Sequence, residues 1–310
     1  MSSKPLVSVI VPVYGVERYI ARCTRSLLAQ SYPCSEFIFV DDGSPDRSVE
    51  RLEEVIAAEF PSRADAVRII RQANAGQARA RQAGLDAASG EYVLMVDADD
   101  WIETTAVEQL VAKAVAEDAD IVVYDFWKEY RHFHKRDSEK DSSIRDNLLF
   151  RRRLYNYKSY GYIVNKFCRR SLCQDMFVPK YNMHEDIVFS TQIIYKARKI
   201  VHLRKALYHY DRTVSGSQSH GPSKKERRTR SARNMLDLYE YFRGRADSPV
   251  KGVEDEIILK SAWIAYTLNR DLFAERPYLA AEALTFPYRC GRFVTIPEQL
   301  ILRRFLKKTV

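Results

Sequence analysis

Two groups of aspartates in the first hundred residues could supply the carboxylate ligands of a cation site. One is the segment 97–100, with the sequence DADD, and the other is the pair Asp41 and Asp42. Carboxylates that lie close together raise one another's pKa unless a cation or hydrogen-bond donors lie among them. In an extended segment Asp97 and Asp99 point to the same side, so both can reach one ion while Ala98 stays out of the way. The spacing therefore indicates a bound divalent cation.

Oxygen ligands alone select a hard cation, so we expect Mn²⁺ or Mg²⁺ at Asp97 and Asp99. Such ions keep water ligands and take further oxygens from substrate phosphates, which implies a diphosphate ligand. A simpler interpretation is that each aspartate group caps the helix that follows it, with Gly43 at positive φ in the earlier turn. Capping uses one aspartate, and each group has more than one.

The elements that must position these aspartates form an alternating series. Apolar β-branched runs predict strands at 6–13, 36–40, 66–70, 91–96 and 120–124, and helical spacing predicts helices at 16–30, 46–60, 75–88 and 103–117. This alternation predicts a doubly wound, mostly parallel, Rossmann-like α/β sheet. Ligands bind beyond the carboxyl ends of strands in such sheets, which is where both aspartate groups fall.

The second half of the chain has weaker periodicity. We expect an exposed loop or an excursion over the sheet edge at 128–146, and helices with one apolar face at 227–242, 253–273 and 297–306. The predicted organisation is a catalytic domain over residues 1–215 and a C-terminal helical subdomain over residues 216–310. The subdomain is expected to face the acceptor or a membrane.

Charge and composition limit the possible partners. The 310 residues are 46% apolar and 29% charged, which is ordinary for a folded domain, and the net charge is +9. Basic residues cluster at 224–233, 151–153 and 303–308, so an anionic partner is expected. Solvated helix faces explain these clusters more simply than nucleic acid does. The segment 300–308 (LILRRFLKK) also has the composition for peripheral contact with an anionic membrane.

Cysteine usage and the amino terminus indicate a cytoplasmic protein. The five cysteines are odd in number and include no Cys-x-x-Cys pair, so reduced thiols are expected. The first residues run directly into an apolar strand without a signal-peptide pattern. No apolar run approaches the ~18 to 20 residues that cross a bilayer. Any membrane contact would then be peripheral, at the inner face of the plasma membrane.

Four motifs in order between residues 6 and 125 resemble the family 2 glycosyltransferases with a GT-A fold, of the bacterial polysaccharide and lipopolysaccharide type. They are VSVIVPVYGVERYI, FIFVDDGSPD, NAGQARARQAGL and GEYVLMVDADDW. The resemblance implies transfer of a hexosyl or N-acetylhexosaminyl group from a UDP-sugar to a hydroxyl of a glycan or lipid-linked acceptor. It also implies a metal ion and inversion at the anomeric carbon.

The same resemblance assigns the donor-binding residues. Asp42, with Asp41 beside it, matches the carboxylate that accepts a hydrogen bond from the N3–H of uracil, as a carboxylate can. Arg81 matches the arginine that approaches the donor phosphates or ribose, although Ala75 replaces the usual glycine of that motif. Arg79 and Arg81 could also lie in solvent on an amphipathic helix. The full donor set is Pro12, Val13, Tyr14, Glu17, Asp41, Asp42, Asn74, Gly76, Arg81, Asp97, Ala98 and Asp99.

The resemblance also assigns a catalytic base. Glu185 and Asp186 match a Glu-Asp pair that begins a helix, where Asp186 is the base for the acceptor hydroxyl, and an N-cap role for it is compatible with this. His184 stands where the family more often has glycine, which favours a surface histidine, with acceptor contact as the alternative. Weaker matches indicate acceptor or diphosphate contacts at Asn165, Lys166, His209 and Arg212, or for the region 208–212 simply a strand with alternating aromatics.

Two other functions were weighed against transfer. A sugar-nucleotide nucleotidyltransferase needs a glycine-rich, basic loop after the first strand, whereas the segment 14–17 (YGVE) has one glycine and an acid. A non-catalytic α/β protein could instead bind anions or a membrane through the basic clusters.

Overall fold

The computed structural model describes residues 4–138, 161–214, 223–243, 245, 254–273, 279–280 and 283–284. The strands are β1 Val7–Val13, β2 Ser35–Asp41, β3 Val67–Arg71, β4 Tyr92–Met95, β5 Trp101–Ile102, β6 Ile121–Glu129, β7 His134–Asp137, β8 Lys166–Arg169 and β9 Ile200–Asp211. The α-helices with defined bounds are α1 Ile20–Leu28, α2 Ser48–Glu59, α3 Gln77–Ala87, α4 Ala106–Glu117, α5 Glu185–Lys196, α6 Lys224–Phe242 and α7 Glu254–Leu268.

One mixed sheet organises these elements, in the order β3-β2-β1-β4-β8-β6-β9-β5, with β7 added on β6. The first four strands of this order pair in parallel, and β6 pairs with β9 in parallel. Strand β8 lies antiparallel between β4 and β6. The predicted doubly wound α/β arrangement of strands and helices is confirmed for the first 125 residues.

The carboxyl ends of the central strands meet at one edge of the sheet. Val13 of β1 is in register with Asp41 of β2, and Asp41 is in register with Arg71 of β3. All seven residues of β1 are buried, because helices cover both faces of a parallel sheet. The strong apolar run that predicted β1 therefore also fixes where the polar residues after it must emerge.

Of the two alternatives for 128–146, the exposed loop is wrong for the part that the structure describes, where the chain instead forms a hairpin that extends from the sheet. Strand β6 continues to Glu129 and turns back into β7, which pairs with it antiparallel as a hairpin. Beyond Trp127 the paired residues are polar and exposed or half-buried, because the hairpin extends from the sheet there, so they lack the apolar pattern of a buried strand. Residues 139–146 lie outside the described part of the chain.

The C-terminal helices pack on the sheet domain. Helices α6 and α7 confirm the helices predicted at 227–242 and 253–273, the latter continuing into a short 3-10 turn at Arg270–Phe273. Met235, Leu238 and Phe242 of α6 belong to the same hydrophobic core as β1 and β4. The division at residue 215 stays a prediction, and the predicted helix 297–306 lies outside the described residues. Among the described helices none is long and apolar enough to cross a membrane.

Gly84 allows α3 to approach β1, and we expect Gly84→Ala to lower the free energy of unfolding. A Cβ at this position would lie well inside van der Waals contact with Cγ2 of Ile10. Such overpacking costs about 1–3 kcal/mol, against a gain in helix propensity of about 1 kcal/mol. Denaturant titration should show the loss, and Ile10→Ala, which removes Cγ2, should make the added methyl group less costly. An unchanged midpoint in both backgrounds would contradict this close contact.

Candidate active site

The segment 97–100 forms a turn after β4 that is pinned to β9. The N–H of Asp100 donates to the carbonyl of Asp97 at 3.0 Å. The carboxylate of Asp100 is buried and accepts from the hydroxyl of Tyr208 and from the N–H of Asp211 at 2.8 Å. Thr105, and not an aspartate of the segment 97–100, occupies the N-cap position of α4, and no side chain caps that helix. The capping interpretation therefore fails, and the turn directs Asp97 and Asp99 away from the helix.

Asp99 is the carboxylate in this turn that is best suited to a cation. Burial, followed by the negative charge of Asp97, raises the pKa of Asp99 to about 6. Among the described residues no basic side chain lies within ion-pair distance of its carboxylate. The guanidinium of Arg22 donates instead to the backbone carbonyl of Asp99 at 2.7 Å and stacks 3.8 Å over the ring of Trp101. A divalent ion would relieve the repulsion that the raised pKa reflects.

Arg81 joins this turn to the start of α5. Its side chain is buried, and its guanidinium donates to Oδ1 of Asp97 at 2.8 Å and to Oδ1 of Asp186. Arg79, two residues earlier, is exposed, so the interpretation that both arginines lie in solvent holds for Arg79 alone. These two bonds use two of the five N–H donors of the guanidinium, and the role assigned to Arg81 in donor binding stays a prediction.

Glu185 and Asp186 form the first turn of α5. The residue before the helix, His184, occupies the N-cap position with φ 58° and makes no side-chain cap, and Asp186 lies two residues beyond that position. Burial raises the pKa of Glu185 to about 7, with the charge of Asp186 as the second cause. Burial also raises the pKa of Asp186, although the positive charge of Arg81 acts against this rise. Both carboxyl groups are half-buried, and Asp186 is linked to Asp97 through Arg81.

Asp42 has a structural role that the sequence did not indicate. Its Oδ1 accepts from Nε2 of Gln72 at 2.7 Å and from the N–H of Ala75 at 2.8 Å, and its Oδ2 accepts from the N–H of Gly76 at 2.8 Å. Asp42 therefore holds the loop that precedes α3, in which Gly76 takes φ 89°. A carboxylate offers about four acceptor sites, so one is left for a base. Contact with uracil stays a prediction for Asp42.

The other residues assigned to the base pocket surround this loop. Asp41 is half-buried and accepts from the N–H of Ser44 through Oδ1 at 2.8 Å. Gly43 has φ 70°, as the turn interpretation requires. The carboxylate of Glu17 accepts from the N–H of Arg47 at 3.3 Å. Of the rest, Pro12 and Val13 are buried at the end of β1, and Tyr14 and Asn74 are exposed.

The weaker acceptor and diphosphate assignments divide into buried and exposed residues. Asn165 and Lys166 are both 1% exposed, so this placement does not support direct contact with an acceptor. His209 lies between two glutamates, with Nδ1 2.7 Å from Glu129 and Nε2 2.9 Å from Glu103, and it stacks on Trp101 as part of β9. Its placement likewise does not support diphosphate contact.

His184 and Arg212 are exposed, so both can meet a ligand. The strand interpretation of 208–211 is confirmed, because these residues belong to β9. Arg212 stands just after that strand, with its guanidinium 5.4 Å from the ring centroid of Tyr210.

The donor set fits a metal that is shared with a ligand. Within the described ranges no group of three or more His, Cys, Asp or Glu side chains is arranged to hold an ion by itself. Asp97 already accepts at Oδ1 from Arg81 and from Nε2 of Gln77 at 3.0 Å, which leaves its Oδ2. Asp99 and Asp97 would therefore supply one or two oxygens, and water and phosphate oxygens would supply the others, as Mg²⁺ sites commonly do.

The family model described as "Glycosyl transferase family 2" matches residues 8–177, which include the sheet edge, the Asp97–Asp99 turn and Arg81. The chain belongs to this family. The Streptococcus pneumoniae protein "Glycosyltransferase GlyA" is 34% identical over 223 residues, which are 69% of this chain and 31% of GlyA. The chain therefore spans less than a third of that relative's length.

Similar solved structures confirm the predicted GT-A fold. S. aureus TarS 1-349, determined in complex with UDP-GlcNAc, superposes with a TM-score of 0.67 at 21% identity, over 91% of this chain and 80% of TarS. The mannosyltransferase PcManGT from Pyrobaculum calidifontis, in complex with GDP-Man and Mn²⁺, gives a TM-score of 0.55 at 17% identity, over 99% of this chain and 81% of that one. At these identities the likeness concerns the fold.

Two side chains of the site were missed by sequence reasoning. Gln77 donates to Asp97, and Tyr208 donates to Asp100 while accepting from the N–H of Asp97 at 3.2 Å. Gln77 directly follows the recognised Gly76, so its position at the start of a helix near the phosphates was a usable signal. Tyr208 lies 108 residues from Asp100, and nothing local to it indicates that contact.

We expect metal affinity to fall as the pH drops through about 6, because a ligating carboxylate must lose its proton and the pKa of Asp99 is raised to about 6. The raised value means that protons compete at a higher pH than for an ordinary aspartate. Calorimetric titration with Mn²⁺ plus UDP-GlcNAc, whose esterified diphosphate does not titrate here, should show about tenfold loss per pH unit below that point. The affinity of Asp99→Asn should be low and flat with pH. An inflection near pH 4 in the unmodified protein would contradict the assignment.

Proposed function

We propose that this protein is an inverting glycosyltransferase that uses a UDP-sugar donor, Mn²⁺ or Mg²⁺, and a hydroxyl acceptor on a glycan or lipid-linked sugar. The observation that carries the proposal is the Arg81 bridge. It places the metal-side carboxylate Asp97 and the base candidate Asp186 on one guanidinium, within a cluster that also contains Asp99. A single-displacement transfer needs both functions around one donor sugar.

The donor class is supported by the base pocket and by the relatives. Asp41 and Asp42 are carboxylates at the edge of the sheet, and a carboxylate can accept from N3–H of uracil but not from the bare N3 of cytosine. TarS was solved with UDP-GlcNAc, and PcManGT with GDP-Man and Mn²⁺, so nucleotide-diphosphate sugars are bound by proteins of this fold. The uracil preference and the identity of the sugar belong to this proposal.

The chain's own residues divide the chemical work between two sides of Arg81. Asp99 and Asp97 would hold the ion, which when bound acts as a Lewis acid that offsets the charge of the departing diphosphate. The carboxylate of Asp186 accepts the proton of the acceptor hydroxyl. The oxygen of that hydroxyl forms the new bond to the anomeric carbon as the bond from this carbon to the diphosphate breaks. Because base and leaving group lie on opposite faces of the sugar in this scheme, the anomeric configuration inverts.

The C-terminal helices are proposed to form the acceptor or membrane side, as the predicted subdomain 216–310. Helix α6 begins with exposed Lys224 and Lys225, in support of an anionic surface as a neighbour. The basic segments 151–153 and 303–308 lie outside the described residues. A location at the inner face of the plasma membrane belongs to the same proposal.

The experiment that tests the proposal is a screen for metal-dependent hydrolysis of UDP-sugars. UDP-GlcNAc, UDP-glucose and UDP-galactose are supplied with Mn²⁺, and release of UDP is measured with and without EDTA. We expect at least one donor to be hydrolysed and Asp99→Ala to abolish the metal-dependent part. Absence of both hydrolysis and calorimetric binding for every nucleoside diphosphate, GDP included, would refute the assignment.

We expect Asp186→Asn to lower kcat for UDP-sugar hydrolysis by about 100- to 10,000-fold, the usual range for loss of a general base. The amide keeps an oxygen for Arg81 but cannot take a proton. Nucleotide affinity should change less than threefold, because Asp42 and Asp41 lie on other elements. The matched variant Glu185→Gln removes the neighbouring carboxylate, which does not bond Arg81, and should retain at least ten times more activity. Equal losses in the two variants would contradict the choice of Asp186.

A further inference from the structure

The loop that leads into α5 ends in an unfavourable backbone conformation. His184, the last residue before the helix, has φ 58° and ψ 25°, which is the left-handed region. A residue with a Cβ is disfavoured there, because its Cβ comes too close to the following carbonyl oxygen. Such a conformation persists only where the surroundings fix it. Since Glu185 and Asp186 follow at once, whatever fixes this loop also fixes the direction in which the two carboxylates point.

The side chain of Asn234, from another element, binds the backbone of this loop. Asn234, on α6, is 0% exposed. Its Nδ2 donates to the carbonyl of Tyr181 at 2.7 Å and to the carbonyl of Met183 at 2.8 Å. Its Oδ1 accepts from the N–H of Tyr181 at 3.2 Å. Both donors of the amide and one acceptor site are therefore spent on residues directly before His184.

The opposite side of the loop rests on the donor side of the site. The side-chain amide of Asn182 packs directly over Gly76, where any added Cβ would collide with it. Gly76 in turn donates its N–H to Asp42 at 2.8 Å. The loop is thus held between α6 on one side and the Asp42-supported turn on the other.

We propose that Asn234 is a positioning residue for the transfer reaction, which acts by fixing the loop 181–184 and through it the carboxylate of Asp186. This inference rests on the proposed function in assigning Asp186 as the base. Asn234 touches neither substrate nor metal. It makes the helical C-terminal part a component of the catalytic apparatus and not only a surface for acceptor or membrane.

Simple helix packing does not account for an asparagine at this position. A buried amide costs free energy unless its donors and acceptor are bonded, so an apolar side chain would serve packing alone. The neighbouring positions Met235 and Leu238 are apolar and buried, as packing requires. Removal of the amide would take away the partner of the Met183 carbonyl and of the Tyr181 N–H, whereas the carbonyl of Tyr181 would keep its bond from the N–H of Met183 at 2.8 Å.

The first test compares Asn234→Ala with Asn269→Ala. Asn269 is the control, because its side-chain amide also bonds a second element. It donates to Thr229 of α6 at 2.9 Å, from just after α7, and it does not bond the loop 181–184. We expect Asn234→Ala to lower kcat for UDP-sugar hydrolysis at least tenfold, since misplacement of a catalytic group by about 1 Å can cost about 100-fold. The KM for the UDP-sugar and the affinity for UDP with Mn²⁺ should change less than threefold. Asn269→Ala should change none of these.

The second test is a double-mutant cycle with Asp186→Asn. If Asn234 acts through Asp186, then Asn234→Ala should cause little further loss in the Asp186→Asn background. A general structural defect would instead lower the residual activity by the same factor in both backgrounds, and that result would overturn the proposal. Asn234→Gln, which keeps the amide, should retain more kcat than Asn234→Ala.

A third measurement does not depend on turnover. Amide hydrogen exchange in the peptide that covers 181–187 should accelerate in Asn234→Ala, or in Asn234→Gln to a lesser extent, and stay unchanged in Asn269→Ala. Unaltered exchange in a folded Asn234→Ala protein would refute the proposal that Asn234 fixes the loop 181–184. Lack of nucleotide binding by the unmodified protein would refute the proposed function, whereas exchange would still decide whether Asn234 holds the loop.

Discussion

The site depends on one buried cation. The guanidinium of Arg81 is removed from water, and the effective cost of burying such an ion is several kcal/mol unless it is paired and hydrogen-bonded. Its two carboxylate partners come from a turn after β4 and from the start of α5, the latter 105 residues away in the chain. The need to neutralise one charge therefore couples the sheet edge to a helix that the topology alone would leave independent.

The same electrostatic requirement explains why so many aspartates are tolerated together. Asp97 faces Arg81 and Gln77, Asp100 faces Tyr208 and the N–H of Asp211, and each thus has fixed donors. Asp99 has neither such donors nor a basic partner among the described residues, and burial together with the charge of Asp97 raises its pKa. Its carboxylate is thus the one in this turn that a metal and a diphosphate could complete.

Local patterns were sufficient for β1 to β4, for the start of β6, for most helices and for the aspartate turn, because these features depend on residues close in sequence. The apolar run of β1 and the DADD spacing are examples. The role of Asp42 as a brace for the 72–76 loop was not predictable, since its partners are mainly backbone N–H groups that any residue would supply. Strand β8 was missed for a related reason. It has four residues, and its antiparallel position between β4 and β6 is decided by distant partners.

Asp42 performs two tasks if it also meets the nucleobase, and this restricts how donor choice can change. A substitution there would release Gln72, Ala75 and Gly76 together, so the loop would collapse before a new base could be selected. Asp41 and Tyr14 do not hold that loop. The carboxylate of Asp41 accepts from the N–H of Ser44 in its own turn, and the side chain of Tyr14 is 49% exposed. Substitutions that change nucleotide choice in this fold are thus expected at those two positions, while Asp42 is retained because it holds the loop.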